Sequence, residues 1–215
     1  MGRTSTDSEA TVRAVSDPPC PAPASSGATR DKLRMMNRLP ERIHIVGASG
    51  AGKSAISRRI AATRDMPTVE LDSLFWQAGW VPLATDVYTD RVRQAASGAR
   101  WVMDGRHAFD QVHDIVAPRT ELLIWLDPPL PVLTLRAFRR TLLRRLRNQQ
   151  LWAGNVEDGR LALSAWYHGS CVPFRENRNL YERLISTHYG NAQVRRVRTA
   201  RDAGRLMSWL GTRTP

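Results

Sequence analysis

Cysteine is nearly absent: Cys20 and Cys171 are the only two in 215 residues, and they form no CxxC pair. That excludes a disulfide scaffold and a cysteine-based zinc site, and makes a reducing, cytoplasmic compartment the expected one. The five histidines contain no HExxH arrangement, so the sequence carries no metalloprotease-type metal signature. Lysine is almost missing too. Of 32 basic residues only Lys32 and Lys53 are lysines, and the other 30 are arginines. A GC-rich coding bias is enough to produce that skew. No apolar run approaches the roughly 18 residues that a membrane-spanning helix needs.

What is present is positive charge. The 32 basic residues face 20 acidic ones, giving +12. Such a field attracts anions: nucleotides, phosphates or nucleic acid. The length suits one α/β domain with a tail. Residues 1–38 read as a disordered tail, with Pro18, Pro19, Pro21 and Pro23 among Ser, Thr and Ala and no periodic apolar residues. Such a segment buries too little apolar surface to offset its ordering entropy. Asp7, Glu9 and Asp17 argue against an organellar transit peptide, and no secretory apolar stretch is present. Met35 or Met36 is an expected alternative start.

From residue 39 to 215 apolar strands alternate with helical periodicity. Strands are expected at Arg42–Val46, Thr68–Asp72, Trp101–Asp104, Glu121–Leu126 and Gln193–Arg198. Helices are expected at Ser54–Thr63, Thr85–Ala99, Pro131 to about Gln150, and Ala200–Leu210. Glu121–Leu126 is the most apolar strand and is expected at the sheet centre. The alternation implies an α/β fold: a doubly wound parallel sheet of about five strands flanked by helices.

Between the first strand and the first helix, Gly47-Ala48-Ser49-Gly50-Ala51-Gly52-Lys53-Ser54 fits G-x-x-x-x-G-K-[ST] at every fixed position. The bare pattern arises by chance in roughly one chain of this length per hundred. The strand before it and the helix after it cut that figure further. Glycines let backbone N–H groups wrap phosphate oxygens at a helix N-terminus. Lys53 supplies a point charge for the β- and γ-phosphates of ATP, and Ser54 a hydroxyl for Mg²⁺. Asp72 and Asp104 are each expected at a strand's carboxyl end, where open parallel sheets place their ligand crevice. Asp104 fits a Mg²⁺-holding carboxylate. Asp72 fits a general base or an acceptor ligand. Either could instead cap the turn that follows.

A third cluster is Arg136, Arg139, Arg140, Arg144, Arg145 and Arg147, without an acid among them. Leu135, Phe138, Leu142 and Leu146 recur at helical spacing, which predicts an amphipathic helix with a cationic face. Arginines of this kind neutralise a migrating phosphoryl group. A solvated face, or one that meets nucleic acid, is the other reading.

Four stretches carry a family resemblance: Gly47–Ser54, Leu71–Trp76 with Gly79-Trp80, Met103–Gly105, and Leu126–Pro129. From about Ile43 to Leu210 the chain resembles P-loop NTPases of the adenylate-kinase-like type. More narrowly it is similar to small bacterial FlaR-like DNA topology modulation proteins. The resemblance implies two lid-hinge arginines nine and thirteen residues after the strand-end Asp127, which are Arg136 and Arg140. It also implies a helical, Arg-rich, lid-like insert at about 136–178. The Asp-Gly-Phe-Pro-Arg motif of adenylate kinases survives only as Asp104-Gly105, which weakens a nucleoside monophosphate as acceptor. Besides a non-catalytic nucleotide-binding switch, two function classes follow. One is an ATP- and Mg²⁺-dependent phosphotransferase with a small-molecule acceptor, its chemistry carried by Lys53, Asp72, Arg136 and Arg140. The other is a nucleotide-regulated DNA-binding ATPase, favoured by the +12 charge but lacking any helix-turn-helix or zinc-finger pattern.

Overall fold

Continuous burial marks the inner strands of the sheet. In β1 (Arg42–Gly47) every residue after Arg42 is buried, and in β4 (Leu122–Leu126) all five are. The structure, a computed structural model, describes residues 38–105, 110–146, 150–156 and 174–212. The remaining strands are β2 (Thr68–Glu70), β3 (Trp101–Asp104) and β5 (Gln193–Val197). The described helices are α1 (Lys53–Arg64), α2 (Leu71–Phe75), α3 (Thr85–Ala96), α4 (Asp110–Val116), α5 (Leu130–Leu146), α6 (Phe174–His188) and α7 (Ala200–Thr212). The expected tail, apart from exposed Arg38, lies outside the described residues.

All four strand pairings are parallel, in the order β2-β3-β1-β4-β5. The doubly wound α/β sheet expected from the sequence is therefore present. β4 was expected at its centre, but β1 holds that place. Any strand covered on both faces becomes uniformly apolar, so apolarity cannot rank interior strands. Successive side chains point to opposite faces. Ile43, Ile45, Leu122, Ile124 and Leu126 pack with Ile60 of α1 and with Leu206, Met207 and Leu210 of α7. On the other face Val46, Leu123 and Trp125 meet Tyr181 and Leu184 of α6. Beside them, Trp101 and Met103 meet Tyr88 and Val92 of α3 and Val112 of α4. Covered on both sides, the strands direct their carboxyl ends to one edge, and the functional groups gather there.

The core also holds polar residues, His44 and His113 among them. His44, in the middle of β1, is fully buried. Its Nδ1 lies 2.7 Å from the Tyr189 hydroxyl and its Nε2 lies 3.0 Å from the Gly105 carbonyl. Burial first, and the neighbouring His113 second, hold its pKa down at about 3 against an ordinary 6.5. A folded pKa below the unfolded one means that the unfolded chain takes up the proton first. The stability this site contributes is therefore complete above pH 6.5 and declines as the pH falls toward 3. At pH 5 the His44 component amounts to a loss of roughly 2 kcal/mol, at about 1.4 kcal/mol per pH unit. Asp104, whose pKa is raised to about 6, works the opposite way and offsets part of this loss. Urea unfolding of the parent and of His44→Gln, each at pH 5 and pH 7.5, separates the two. The variant should tolerate acid better than the parent; an equal pH dependence would mean that His44 is not held neutral by the core.

Candidate functional site: a phosphate loop at the sheet edge

The loop between β1 and α1 takes its shape from glycine. Gly50 (φ +83) and Gly52 (φ +98) have left-handed backbones, and Gly52 caps the N-terminus of α1. A Cβ on Gly50 would sit 3.0 Å from the Leu133 carbonyl and 3.2 Å from the Ala137 Cβ, so a side chain there would push α5 off the loop. The result is a helix N-terminus without a side-chain cap, its free N–H groups opening onto the sheet edge. Lys53 Nζ donates to the carbonyls of Gly47 at 3.0 Å and Ala48 at 3.3 Å. The ammonium thus bends over the loop, where phosphate oxygens can exchange for those carbonyls.

Two arginines of α5 reach the same loop. Arg136 Nη1 donates to the Ala51 carbonyl at 3.3 Å, and Arg140 Nη2 donates to Ser49 Oγ at 3.0 Å. The helix is therefore turned the other way from the amphipathic expectation. Leu133 and Ala137 are buried and Arg136 and Arg140 reach the loop beside them, Arg136 staying exposed and Arg140 half-buried, while Leu135, Phe138, Leu142 and Leu146 are exposed. Periodicity shows that a helix has two stripes. It does not say which one packs, and here the loop's carbonyl and hydroxyl acceptors select the arginines. The expected lid-like insert is described only in parts: α5, the short turn Trp152–Gly154, and α6. Its stretch 157–173 lies outside the described residues, as do Arg106 and His107.

Asp104 ends β3 as expected, in register with Ile45 of β1 and Glu70 of β2. Its side chain is buried, the Ser54 hydroxyl hydrogen-bonds it, and its Oδ2 has no hydrogen-bond partner among the described residues. Burial raises its pKa to about 6, opposed by Lys53 and the Ser54 bond and reinforced by the charges of Glu70 and Asp72. An orphaned buried carboxylate oxygen beside a hydroxyl is an oxygen donor set that suits a hard divalent cation. Mg²⁺ and a nucleotide therefore fit the residues present.

Asp72 departs from its expected place. β2 stops at Glu70, and Asp72 sits in the first turn of α2 rather than at a strand end. Leu71, fully buried against Gly105, turns the chain two residues early. Asp72 stays on the crevice side nonetheless. Its charge acts on Asp104, and it adds to the effect of burial in raising the pKa of the Tyr88 phenol.

Several residues of this edge have no motif in the sequence. The buried Asp127 carboxylate accepts from Arg178 Nε at 2.9 Å and from Arg196 Nη2 at 2.6 Å. The Arg196 guanidinium lies 4.0 Å over the Trp125 ring. Ala48, Trp125, Asp127 and Arg178 border a small cleft on the β4 side of the loop. On the β2 side, Trp152 Nε1 donates to Glu70 at 2.9 Å, and Trp76, Trp80 and Trp152 pack edge-to-face at 5.5 and 6.3 Å. Cations thus line one flank of the loop, and carboxylates with tryptophans line the other. The Asp127 grip was half visible, since the strand-end aspartate is part of the Leu126–Pro129 stretch. Its arginine partners come from segments 51 and 69 residues away.

No family model and no curated protein matches the sequence. Among solved structures, the chain is similar to a gluconokinase from Sinorhizobium meliloti 1021, with 18% identity over 81% of this chain and 95% of that one and a TM-score of 0.46. It is similar to shikimate kinase from Aquifex aeolicus vf5, with 14% identity over 79% of this chain and 92% of that one and a TM-score of 0.45. It is also similar to a putative kinase from Chloroflexus aurantiacus J-10-fl, with 15% identity over 83% and 100% and a TM-score of 0.47. Likeness at this level carries no argument about chemistry, which rests on the side chains themselves. Among the described residues no helix is long and apolar enough to cross a membrane.

Proposed function

We propose that the protein is an ATP-dependent phosphotransferase that moves the γ-phosphoryl group of ATP to a small-molecule acceptor. The observation that carries this reading is the buried Asp104 Oδ2, without a hydrogen-bond partner among the described residues, beside a glycine-shaped loop that Lys53, Arg136 and Arg140 all reach. A loop that only bound phosphate would not need a desolvated carboxylate next to its serine.

In this reading the loop N–H groups and Lys53 hold the phosphates. Ser54 and Asp104 hold Mg²⁺, which when bound offsets the charge that builds on the phosphate oxygens. Arg136 and Arg140 neutralise the group in transit from the α5 side. The acceptor enters from the flank of Asp72, Trp76 and Trp80. Its hydroxyl oxygen bonds to phosphorus as the bond from phosphorus to the β–γ bridging oxygen breaks, and the hydroxyl proton passes to Asp72. ADP leaves with the electron pair. An acceptor that is itself a phosphate needs no such base. The adenylate-kinase-like resemblance fits this order of parts, and the incomplete Asp-Gly motif directs the search toward hydroxylated acceptors.

The test is Mg²⁺-dependent ATP consumption across a panel of hydroxylated metabolites and nucleoside monophosphates, for the parent and for Asp104→Asn. Acceptor-stimulated ADP formation is expected. Asp104→Asn should lower it about 100-fold, the upper range for disturbing a metal site, with metal-free nucleotide binding within about twofold of the parent. Identical metal dependence in parent and variant would reduce Asp104 to a turn-former. Tight nucleotide binding with no turnover on any acceptor would make the protein a nucleotide-operated switch.

A further inference from the structure

The four polar groups around Tyr189 form a directional relay buried in the core. A carbonyl only accepts, so the 3.0 Å contact between His44 Nε2 and the Gly105 oxygen places the ring hydrogen on Nε2. In the neutral ring Nδ1 then accepts, and the Tyr189 hydroxyl must donate to it at 2.7 Å. With its hydrogen so used, the Tyr189 oxygen accepts from His113 Nδ1 at 3.1 Å. The order is His113 to Tyr189 to His44 to Gly105. His44 is 0% exposed and Tyr189 and His113 1% each, so no water competes for these bonds.

A relay of this kind is a poor device for stability. Replacing a satisfied buried polar set by apolar side chains of similar shape is often neutral or stabilising. Its placement suggests another use. It joins α4, the end of α6 and β1 to the residue that follows Asp104. The Gly105 N–H donates to the Ile45 carbonyl at 3.1 Å, and its carbonyl is held by His44. Both polar groups of Gly105 are thereby tied to β1, which fixes the turn on which the Asp104 carboxylate is mounted.

We propose that His44 is a positioning residue for phosphoryl transfer, and that Tyr189 and His113 hold it in the tautomer that fixes the Asp104–Gly105 turn. This rests on the reading that Asp104 acts on Mg²⁺ at the phosphate loop. Tyr189→Phe removes one oxygen and leaves the ring in place. It frees His44 to take the Nδ1–H tautomer, which cannot donate to Gly105. His44→Leu deletes the donor, and His44→Gln keeps an amide that reaches the same carbonyl.

Three measurements test the proposal. Nitrogen-15 NMR of the imidazoles should show Nε2–H at His44 and Nδ1–H at His113 in the parent, with His44 changing tautomer in Tyr189→Phe. In titrations of Mg²⁺ with a non-hydrolysable ATP analogue, Tyr189→Phe and His44→Leu should need about tenfold more metal, in line with other supporting contacts around metal ligands. Metal-free analogue binding should stay within twofold, and His44→Gln should recover most of the loss. In steady-state kinetics the same two variants should lose kcat by a similar factor while KM for ATP holds.

The opposite tautomers, or an unchanged Mg²⁺ requirement, would overturn the positioning role whether or not ATP is turned over. An equal loss in His44→Gln and His44→Leu would also overturn it, by showing that the site only fills space. A parent that binds Mg²⁺ with the analogue yet transfers no phosphoryl group would overturn the kinase reading alone, because the metal titration still judges the relay.

Discussion

Lys53→Ala is expected to reduce ATP turnover by about three orders of magnitude, the upper range for removing one preorganised charge from a developing anion. The lysine ammonium donates to the Gly47 and Ala48 carbonyls, and both carbonyls belong to the loop that a nucleotide would fill. In the proposed reading its positive charge serves the phosphates more than the fold. Water can take over the two carbonyls when the ammonium is lost. The melting temperature of the variant should consequently stay within a few degrees of the parent's. Single-turnover ATP consumption alongside thermal unfolding reads both quantities. Equal turnover by variant and parent would remove the phosphate loop from the chemistry. Lost turnover together with a collapsed melting temperature would show that Lys53 serves the fold.

The features legible in the sequence were those that local chemistry determines. The loop needs glycine, lysine and serine at fixed offsets, and these stand out in any order of reading. Parallel strands covered on both faces read as apolar runs, which is why β1, β3 and β4 fell within a residue or two of expectation. Asp104 was found because a strand end beside that loop is a specific address. The misses share one cause, which is that a tertiary contact decided them. Leu71 turns the chain before Asp72 because it must pack beneath Gly105. The α5 helix presents arginines to the loop although an apolar stripe runs along its other side. Arg178 and Arg196 come to this edge through their bonds to Asp127. His44 looks like an ordinary strand residue until Tyr189, 145 positions later, closes the relay.

The orientation of α5 sharpens the choice between the two function classes. Arg136 and Arg140 already bond the loop at Ala51 and Ser49, so a nucleotide there would meet both guanidinium groups. If they neutralise the phosphoryl group in flight, their contribution is larger in the transition state than in the ground state. Arg136→Ala and Arg140→Ala should then each lower kcat about 100-fold or more, while KM for ATP rises less than about fivefold. Arg139→Ala serves as the control, because that exposed side chain of the same helix makes no described contact with the loop. A helix that instead tracked a nucleic acid backbone would use its outward residues. Arg139 would then matter as much as Arg136, and DNA affinity would fall steeply with salt in proportion to the phosphates contacted. The six-arginine sequence alone is neutral between these outcomes. The bonds that two of them make to the loop are not, since a guanidinium held on Ala51 or Ser49 cannot reach a duplex without breaking that bond. Kinetics of the three variants with a parallel salt titration of DNA binding therefore separate the readings. Undiminished kcat in Arg136→Ala and Arg140→Ala, with uniform loss of DNA affinity across all three, would leave the phosphate loop as a regulatory site on a DNA-binding protein.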